Sequence, residues 1–227
     1  MNAVQLVIAI PAYNEEAHIV TVVRGCLAQG AEVWVLDDGS IDRTSEMARQ
    51  AGAYVIRREQ NTGKGVMIRI ALEQFLKSSA ENLILMDADG QHDPAWIPKF
   101  IEIERTTGAP IVVGNRMEET RAMPWVRYLT NRLMSWMVSL LSGQKIPDSQ
   151  CGFRLITRAF ATHFRPSTTR FDLESEMLIQ AKRLGMSIAS VPIPTIYRQC
   201  SSHIRPLPDT VRFLRLILHY LRCSPSK

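Results

Sequence analysis

The chain contains no apolar run near the roughly 18 residues that a membrane-spanning helix needs, and no repeat or low-complexity stretch. Its first ten residues, MNAVQLVIAI, lack a basic start and predict a buried strand rather than a signal peptide. There are only four cysteines in 227 residues, and no CxxC pair. We therefore expect free thiols in a reducing cytosol, with no disulfide scaffold and no zinc–cysteine site, at Cys26, Cys151, Cys200 and Cys223.

Two common phosphate-binding patterns are also missing. No GxGxxG follows the first apolar run, which excludes the dinucleotide fingerprint. The segment 61–65 (NTGKG) lacks a P-loop's first glycine, because Arg58 stands there, and Gly65 replaces the serine or threonine after the lysine. Lys64 is therefore either the start of a helix or a functional cation of another kind.

The composition is that of a globular protein, and we expect a single domain over residues 1–227. Apolar residues make up 46% of the chain and charged residues 22%. The net charge of +5 is unevenly spread, because residues 1–120 have 11 Lys/Arg and 17 Asp/Glu, whereas residues 121–227 have 16 and 5. An acidic half suits a metal ion, and a basic half suits phosphates or an anionic membrane. An uneven solvated surface is the alternative.

Strands and helices alternate in the first half. Apolar runs predict strands at 4–10, 31–36, 54–57, 82–86 and 111–114, and helical spacing predicts helices at 15–29, 42–51, 64–77 and 94–107. We expect Asn14 and Asp42 to cap the first two helices. This order predicts an α/β fold with a mostly parallel central sheet and helices on both faces.

The second half breaks this rhythm. We expect a helix at 124–142, a loop and then a strand within 143–153, a helix at 172–184, a strand at 187–191, a loop with four prolines over 192–208 and a helix at 207–222. The helix at 124–142 is rich in large apolar side chains, and that at 207–222 has one stripe of cations, Arg212, Arg215, His219 and Arg222. Both helices fit either the core or a membrane interface.

Polar residues follow four successive strands, at the edge where open parallel sheets bind ligands. The clearest group is Asp87-Ala88-Asp89, whose two carboxylates at i and i+2 point the same way on an extended chain. Two such charges need a cation, and Mg²⁺ commonly takes one or two carboxylates together with water and phosphate oxygens. Gln91 adds an oxygen. The alternative is a solvated acidic turn before a helix at Pro94.

A second acidic pair follows the second strand. Gly39 accounts for the turn at this position, and Asp42 accounts for the cap of the next helix. We therefore expect Asp37 and Asp38 to have no structural role. Such a carboxylate can accept hydrogen bonds from a nucleobase or a ribose. Tyr13 is either a core residue or a side chain that flanks a base.

These segments resemble one known family. PAYNE (11–15), DDGS (37–40), NTGKG (61–65) and DADGQH (87–92) occur in the order and spacing of family 2 glycosyltransferases. The closest similarity is to the polyprenyl-phosphate sugar synthases, which include the dolichyl-phosphate mannose and glucose synthases. It continues through GNR (114–116), DSQCGFR (148–154), FDLE (171–174) and VPI (191–193) to Tyr197, over nearly the whole chain.

The resemblance implies a GT-A type fold, a nucleotide-diphosphate sugar donor and Mg²⁺ or Mn²⁺, with residues 1–120 as the donor and metal half and 121–227 as the acceptor half. The nucleoside would contact Pro11, Tyr13, Glu15, Leu36 and Asp38. The metal and diphosphate would face Asp87, Asp89 and Gln91, with Lys64 and Ala88 alongside. Arg198 would bind the diphosphate, and His203 stands near where a lysine is common.

The resemblance further implies an inverting transfer to a polyprenyl phosphate at the cytosolic membrane face. Asp89, Arg116 and Arg198 would be catalytic, and Arg116 would meet the acceptor or donor phosphate. Because a guanidinium can bind two phosphate oxygens at once, Arg127 and Arg132 join Arg116 as candidates for the acceptor phosphate, with surface solvation as the alternative. The donor is of the UDP-glucose or GDP-mannose type. A membrane-spanning partner protein is compatible with this interpretation, and no nucleic acid is expected.

Two alternatives stay open from the residues. A hydroxyl acceptor would need a general base, for which the candidates are Asp148, Asp172 and Glu174. A non-catalytic nucleotide-sugar binding module would not need Asp87, Asp89 and Gln91 together. Arg154 either binds phosphate or packs a strand, and we interpret His92 as a structural hydrogen-bonding residue.

Overall fold

A computed structural model describes residues 6–118, 123–168, 170, 172–194, 196 and 206–222, with the backbone alone at 206–211. The strands are β1 (Leu6–Ala12), β2 (Glu32–Asp37), β3 (Tyr54–Arg57), β4 (Asn82–Leu85), β5 (Ile111–Asn115), β6 (Arg154–Thr157) and β7 (Ile188–Pro192). The helices are α1 (Ile19–Leu27), α2 (Thr44–Gln50), α3 (Lys64–Lys77), α4 (Ile97–Thr107), α5 (Trp125–Ser142), α6 (Arg158–His163), α7 (Asp172–Arg183) and α8 (Pro206–Arg222).

The seven strands form one sheet in the order β3-β2-β1-β4-β6-β5-β7. Only β6 is antiparallel to its neighbours, so the prediction of a mostly parallel sheet is confirmed. All residues of β1, β4 and β5 are buried. Because successive side chains of a strand point to opposite faces, both faces of the sheet are covered, as predicted.

Several local expectations were wrong. The cap position of α1 is His18, and Asn14 instead has a left-handed φ of 56°, with its Oδ1 accepting from the Ile41 amide. The cap position of α2 is Arg43, although Asp42 still accepts from the Thr44 amide. The strand expected within 143–153 lies at β6, and α6 was not predicted, because its six residues are too few to show a helical period.

Helix α5 buries its polar side. Its buried residues are Asn131, Ser135, Val138 and Ser142. The hydroxyl of Ser135 accepts from the Ser149 amide at 2.8 Å, and that of Ser139 accepts from the Ile146 amide at 3.0 Å. These bonds hold the loop that leads into β6. The large apolar side chains consequently face outward, namely Trp125, Val126, Leu129, Leu133, Trp136 and Leu140.

Helix α8 packs against α5 and α7. Phe213, Leu216, Ile217 and Tyr220 of this helix are buried. Leu214, Leu218 and Leu221 are exposed, as are the cations Arg215, His219 and Arg222 of the predicted stripe, whereas Arg212 is half-buried. We call the outward apolar residues of α5 and α8 the outer apolar face. Among the described helices, none has a stretch apolar and long enough to cross a bilayer.

Candidate active site

The loops after three neighbouring parallel strands lie at one edge of the sheet, as the sequence predicts. Tyr13 and Glu15 follow β1, Asp38 follows β2, and residues 87–91 follow β4, which pairs with β1. Lys64, the first residue of α3, reaches the same edge, where its Nζ lies 2.5 Å from Asp87 Oδ1. Lys64 is therefore part of this cluster of charged groups.

The two carboxylates of the DAD segment have different surroundings. Burial raises the pKa of Asp87, but Lys64 and His92 lower it more, to about 2. Burial and the charge of Asp87 raise the pKa of Asp89. Asp89 Oδ1 accepts from the Gln91 amide at 2.9 Å, which fixes the turn between them. Ala88, between the two carboxylates, is buried.

Glu15 faces this pair from the loop after β1. Burial and then the charges of Asp89 and Asp87 raise the pKa of Glu15 to about 7. Lys64 offsets only part of the negative charge at this edge, so the site favours a further cation. Across the described residues, no three His, Cys, Asp or Glu side chains are grouped so as to hold a metal ion. A metal here would take further ligands from water or from phosphate oxygens of a substrate.

The fold leaves space for the Asp87 carboxylate by means of a glycine. A Cβ at position 152 would lie 2.5 Å from Asp87 Oδ2 and 2.8 Å from Oδ1. The Asp87 side chain remains 28% exposed, so one side of it is open to a ligand. Two carboxylates and an amide oxygen are hard ligands of the kind that Mg²⁺ and Mn²⁺ take with phosphates. Asp87, Asp89 and Gln91 therefore fit the predicted metal.

His92 is buried and neutral at physiological pH. Burial lowers its pKa to about 4, although Asp87, 3.9 Å from its Nε2, opposes that shift. Its ring packs against Phe153 with the ring centroids 5.4 Å apart. This packing fits a structural role for His92, but not as the hydrogen-bonding residue we expected, because its buried Nδ1 makes no hydrogen bond with a described residue.

The residues expected around the nucleoside lie at the ends of β1 and β2 and in the loops that follow them. Pro11 and Leu36 are buried partners in the sheet register, and Tyr13 and Glu15 are half-buried. Asp38 already has partners, since it accepts from the Thr62 amide at 2.7 Å, the Thr62 hydroxyl at 2.8 Å and the Gly63 amide at 2.6 Å. These bonds hold the loop that presents Lys64.

The expectation that Asp37 has no structural role was also wrong. Asp37 Oδ1 accepts from the Ser40 amide at 2.8 Å, and Oδ2 accepts from the Ser45 hydroxyl and lies 3.3 Å from Arg57 Nη1. The two acidic residues at the end of β2 therefore hold the turn and the neighbouring loops. The role of Asp38 could not be predicted from the sequence, because its partners lie 24 and 25 residues away.

The residues expected at the acceptor phosphate are only partly gathered. Arg116, directly after β5, is 5% exposed, and its Nε and Nη2 donate to the two oxygens of Asp148 at 2.7 and 3.0 Å. Arg127 and Arg132 are on α5, and Arg132 donates to the Tyr128 hydroxyl at 2.7 Å. Arg198 and His203 lie outside the described residues.

Sequence reasoning missed the part that Arg154 and Glu174 take in this site. The fully buried guanidinium of Arg154 donates to the carbonyls of Ser149, Cys151 and Glu174. Glu174, in the first turn of α7, has its Oε1 3.0 Å from Lys64 Nζ. The signals available were the two motifs that contain them, DSQCGFR and FDLE. Of the four cysteines, Cys26 and Cys151 are free and buried, and Cys200 and Cys223 are not among the described residues.

Comparison with known proteins decides the family. The family model described as "Glycosyl transferase family 2" matches residues 7–164, more than half of the chain. The chain belongs to glycosyl transferase family 2. It is a glycosyltransferase, which removes the alternative of a non-catalytic binding module. The matched span includes β1, apart from Leu6, through β6, and every residue of the cluster except Glu174.

Relatives and solved structures agree with this membership. The chain is 31% identical over 215 residues to a UDP-N-acetylglucosamine–dolichyl-phosphate N-acetylglucosaminyltransferase of Methanococcus voltae, covering 85% of this chain and 86% of that protein. It is 32% identical over 197 residues to a dolichyl-phosphate hexose transferase of Haloferax volcanii, covering 86% and 83%. The fold matches glucosyl-3-phosphoglycerate synthase from Mycobacterium tuberculosis in complex with Mn²⁺, UDP and glucosyl-3-phosphoglycerate, with a TM-score of 0.72, 23% identity and coverage of 98% and 81%.

Proposed function

We propose that this glycosyltransferase transfers a hexose from a nucleotide-diphosphate sugar to a polyprenyl phosphate at a membrane surface, with inversion and with Mg²⁺ or Mn²⁺. The observation that carries the choice of acceptor is the outer apolar face, because α5 buries its serines and exposes six large apolar side chains. Exposed apolar side chains on a helix pair that also has exposed cations suit an anionic membrane interface. The two relatives described above are named for dolichyl-phosphate acceptors.

The donor's diphosphate would lie at the carboxylate edge. Asp87 and Asp89, with Gln91, would hold the divalent cation, which when bound neutralises charge on the leaving diphosphate. Lys64 adds a positive charge beside Asp87. The M. tuberculosis synthase of similar fold was crystallised with Mn²⁺ and UDP. The proposed donor is a nucleotide-diphosphate sugar of the UDP-glucose or GDP-mannose type.

The acceptor phosphate needs positioning more than deprotonation, since it is already anionic near neutral pH. Arg116 is held rigidly by Asp148, and its third nitrogen, Nη1, makes no hydrogen bond with a described residue. That nitrogen can donate to a phosphate oxygen. We assign Arg116 to the acceptor phosphate, together with Arg127 and Arg132 from the basic half and with Arg198 toward the diphosphate.

For the alternative with a hydroxyl acceptor, two of the three candidate bases are already paired with cations. Asp148 is paired with Arg116, and Glu174 is paired with Lys64, so neither carboxylate is poised to take a proton. Asp172, whose pKa burial raises, is the remaining candidate. The lipid-phosphate acceptor requires no such base.

The test is an acceptor and donor panel on the full chain. UDP-glucose and GDP-mannose are each supplied with Mg²⁺ or Mn²⁺, and with polyprenyl phosphate in vesicles or with glycan hydroxyl acceptors. We expect lipid-linked product from one donor only, lost on chelation, and a turnover at least about 100-fold lower in Asp89→Asn. Asp93→Asn is the matched control, because Asp93 only accepts from the Ala95 amide, which asparagine also does. Transfer to hydroxyls without lipid product would overturn the proposal.

A further inference from the structure

Lys64 is shared between two carboxylates from distant parts of the chain. Its Nζ lies 2.5 Å from Asp87 Oδ1 and 3.0 Å from Glu174 Oε1. The Lys64 side chain is 18% exposed, that of Asp87 28%, and that of Glu174 only 7%. One ammonium therefore balances two anions, and the group has a surplus negative charge on the side where Asp87 meets solvent.

The position of Glu174 does not depend on Lys64 alone. The Glu174 carbonyl accepts from buried Arg154, which fixes the first turn of α7 against the loop before β6. Glu174 Oε1 is buried, and within the described part of the chain it accepts no hydrogen bond of good geometry. A buried carboxylate is costly unless a cation compensates it, and Lys64 is that cation.

We propose that Glu174 is a positioning residue that takes Lys64 from Asp87 when a divalent cation binds there, an inference that rests on the proposed function. A divalent cation on Asp87 would lie close to the ammonium and repel it. A small movement toward Glu174, already 3.0 Å away, would keep the lysine paired while it frees Asp87. Glu174 thus lowers the free-energy cost of displacing the lysine.

This arrangement predicts opposite effects of two substitutions. In Glu174→Gln, Lys64 loses its ion pair with residue 174 and keeps the one with Asp87, so a divalent cation must compete with the lysine directly and binds more weakly. In Lys64→Met, Asp87 and Glu174 lose their counter-ion, so a divalent cation binds more tightly. General damage to the site would weaken binding in both variants, which separates a positioning role from a merely structural one.

The experiment is a titration of the full chain with Mn²⁺ alone, and with Mn²⁺ plus UDP or GDP, in which EPR measures the free ion. We expect Glu174→Gln to weaken Mn²⁺ binding at least about fivefold and Lys64→Met to strengthen it at least about fivefold. Glu174→Asp should restore part of the affinity. Glu102→Gln and Lys99→Met make the same charge changes at an exposed ion pair and should leave Mn²⁺ binding unchanged.

Two results are distinguishable. If Asp89→Asn abolishes Mn²⁺ binding but Glu174→Gln leaves it unchanged, the role of Glu174 is refuted and the metal site stands. If the chain binds no Mn²⁺, or if Asp89→Asn leaves binding intact, the metal assignment fails and this inference with it. Lys64→Met could unfold the chain because it leaves two buried carboxylates unpaired, so thermal unfolding accompanies each titration. Glu174→Gln has the same shape as the native residue, so an unchanged Mn²⁺ affinity in that folded variant refutes the proposal even if Lys64→Met unfolds.

Discussion

Replacing Arg154 tests whether the loop before β6 is held by one buried guanidinium. Arg154 is fully buried and donates to the carbonyls of Ser149 and Cys151, each at 2.7 Å, and to that of Glu174. Arg154→Met leaves three buried carbonyls without their donor, each costing about 1–3 kcal/mol. Loss of the buried charge offsets part of this, so we expect a net loss of about 3–5 kcal/mol in the free energy of unfolding.

The assay is thermal unfolding followed by circular dichroism. In a chain of this length, about 2–4 °C accompanies each kcal/mol, so Tm should fall by about 6–20 °C. Arg165→Met is the matched control, because Arg165 also donates to two carbonyls, those of Thr162 and Phe164, but is exposed. We expect that variant to stay within about 0.5 kcal/mol of the native chain.

The outcome also decides between the two interpretations that the sequence left open for Arg154. If Arg154→Met keeps its Tm but loses turnover, the guanidinium binds phosphate and the structural assignment is refuted. Arg154→Lys sharpens the choice. A lysine keeps the charge but cannot span three carbonyls in a fork, so a structural role predicts a Tm between those of the native chain and the methionine variant.

Two further predictions concern the space around Asp87 and the packing of α7. Gly152→Ala places a methyl group 2.5 Å from Asp87 Oδ2. We therefore expect turnover to fall at least about tenfold, while the free energy of unfolding changes by no more than about 1–3 kcal/mol. Unchanged turnover would show that Asp87 is free to move. Although burial opposes it, hydrogen bonds from Ser167 and Thr168 lower the pKa of Glu176 below 4.5, so its stabilisation is complete above pH 4.5 and is lost as the pH falls through the folded-state value. Glu176→Gln should therefore unfold at lower denaturant concentration at pH 7 and show a flatter acid dependence below pH 4.5; identical acid profiles would contradict this.

The alternation of strands and helices made it possible to predict both the parallel part of the fold and the location of the site from the sequence. Short apolar runs alternate with helical periods in the first half, and that order leaves few arrangements other than a covered parallel sheet. Polar residues after successive strands then have to meet at one edge. Asp87, Asp89 and Glu15 meet there because β1 pairs with β4.

Contacts between distant segments could not be predicted in this way. The pairing of Lys64 with Glu174 spans 110 positions, and the carbonyls that Arg154 contacts lie in irregular loops that have no periodicity. A motif marks such residues as candidates, but it does not say whether a charge faces a ligand or the backbone. The side chains of Arg154 and Asp37 both make hydrogen bonds with backbone groups.

Helix α5 shows why the outer apolar face could not be predicted from its sequence. A helical period indicates two faces, and in a globular protein the apolar face is ordinarily the buried one. Here the serines find partners inside, at the amides of Ser149 and Ile146, so rotating the helix would leave those buried amides unpaired. Burying a large apolar side chain is worth about 1.5–3 kcal/mol, so six half-exposed ones forgo on the order of 5 kcal/mol in water. An apolar phase outside the protein recovers that energy, which is why we place the outer apolar face against a membrane.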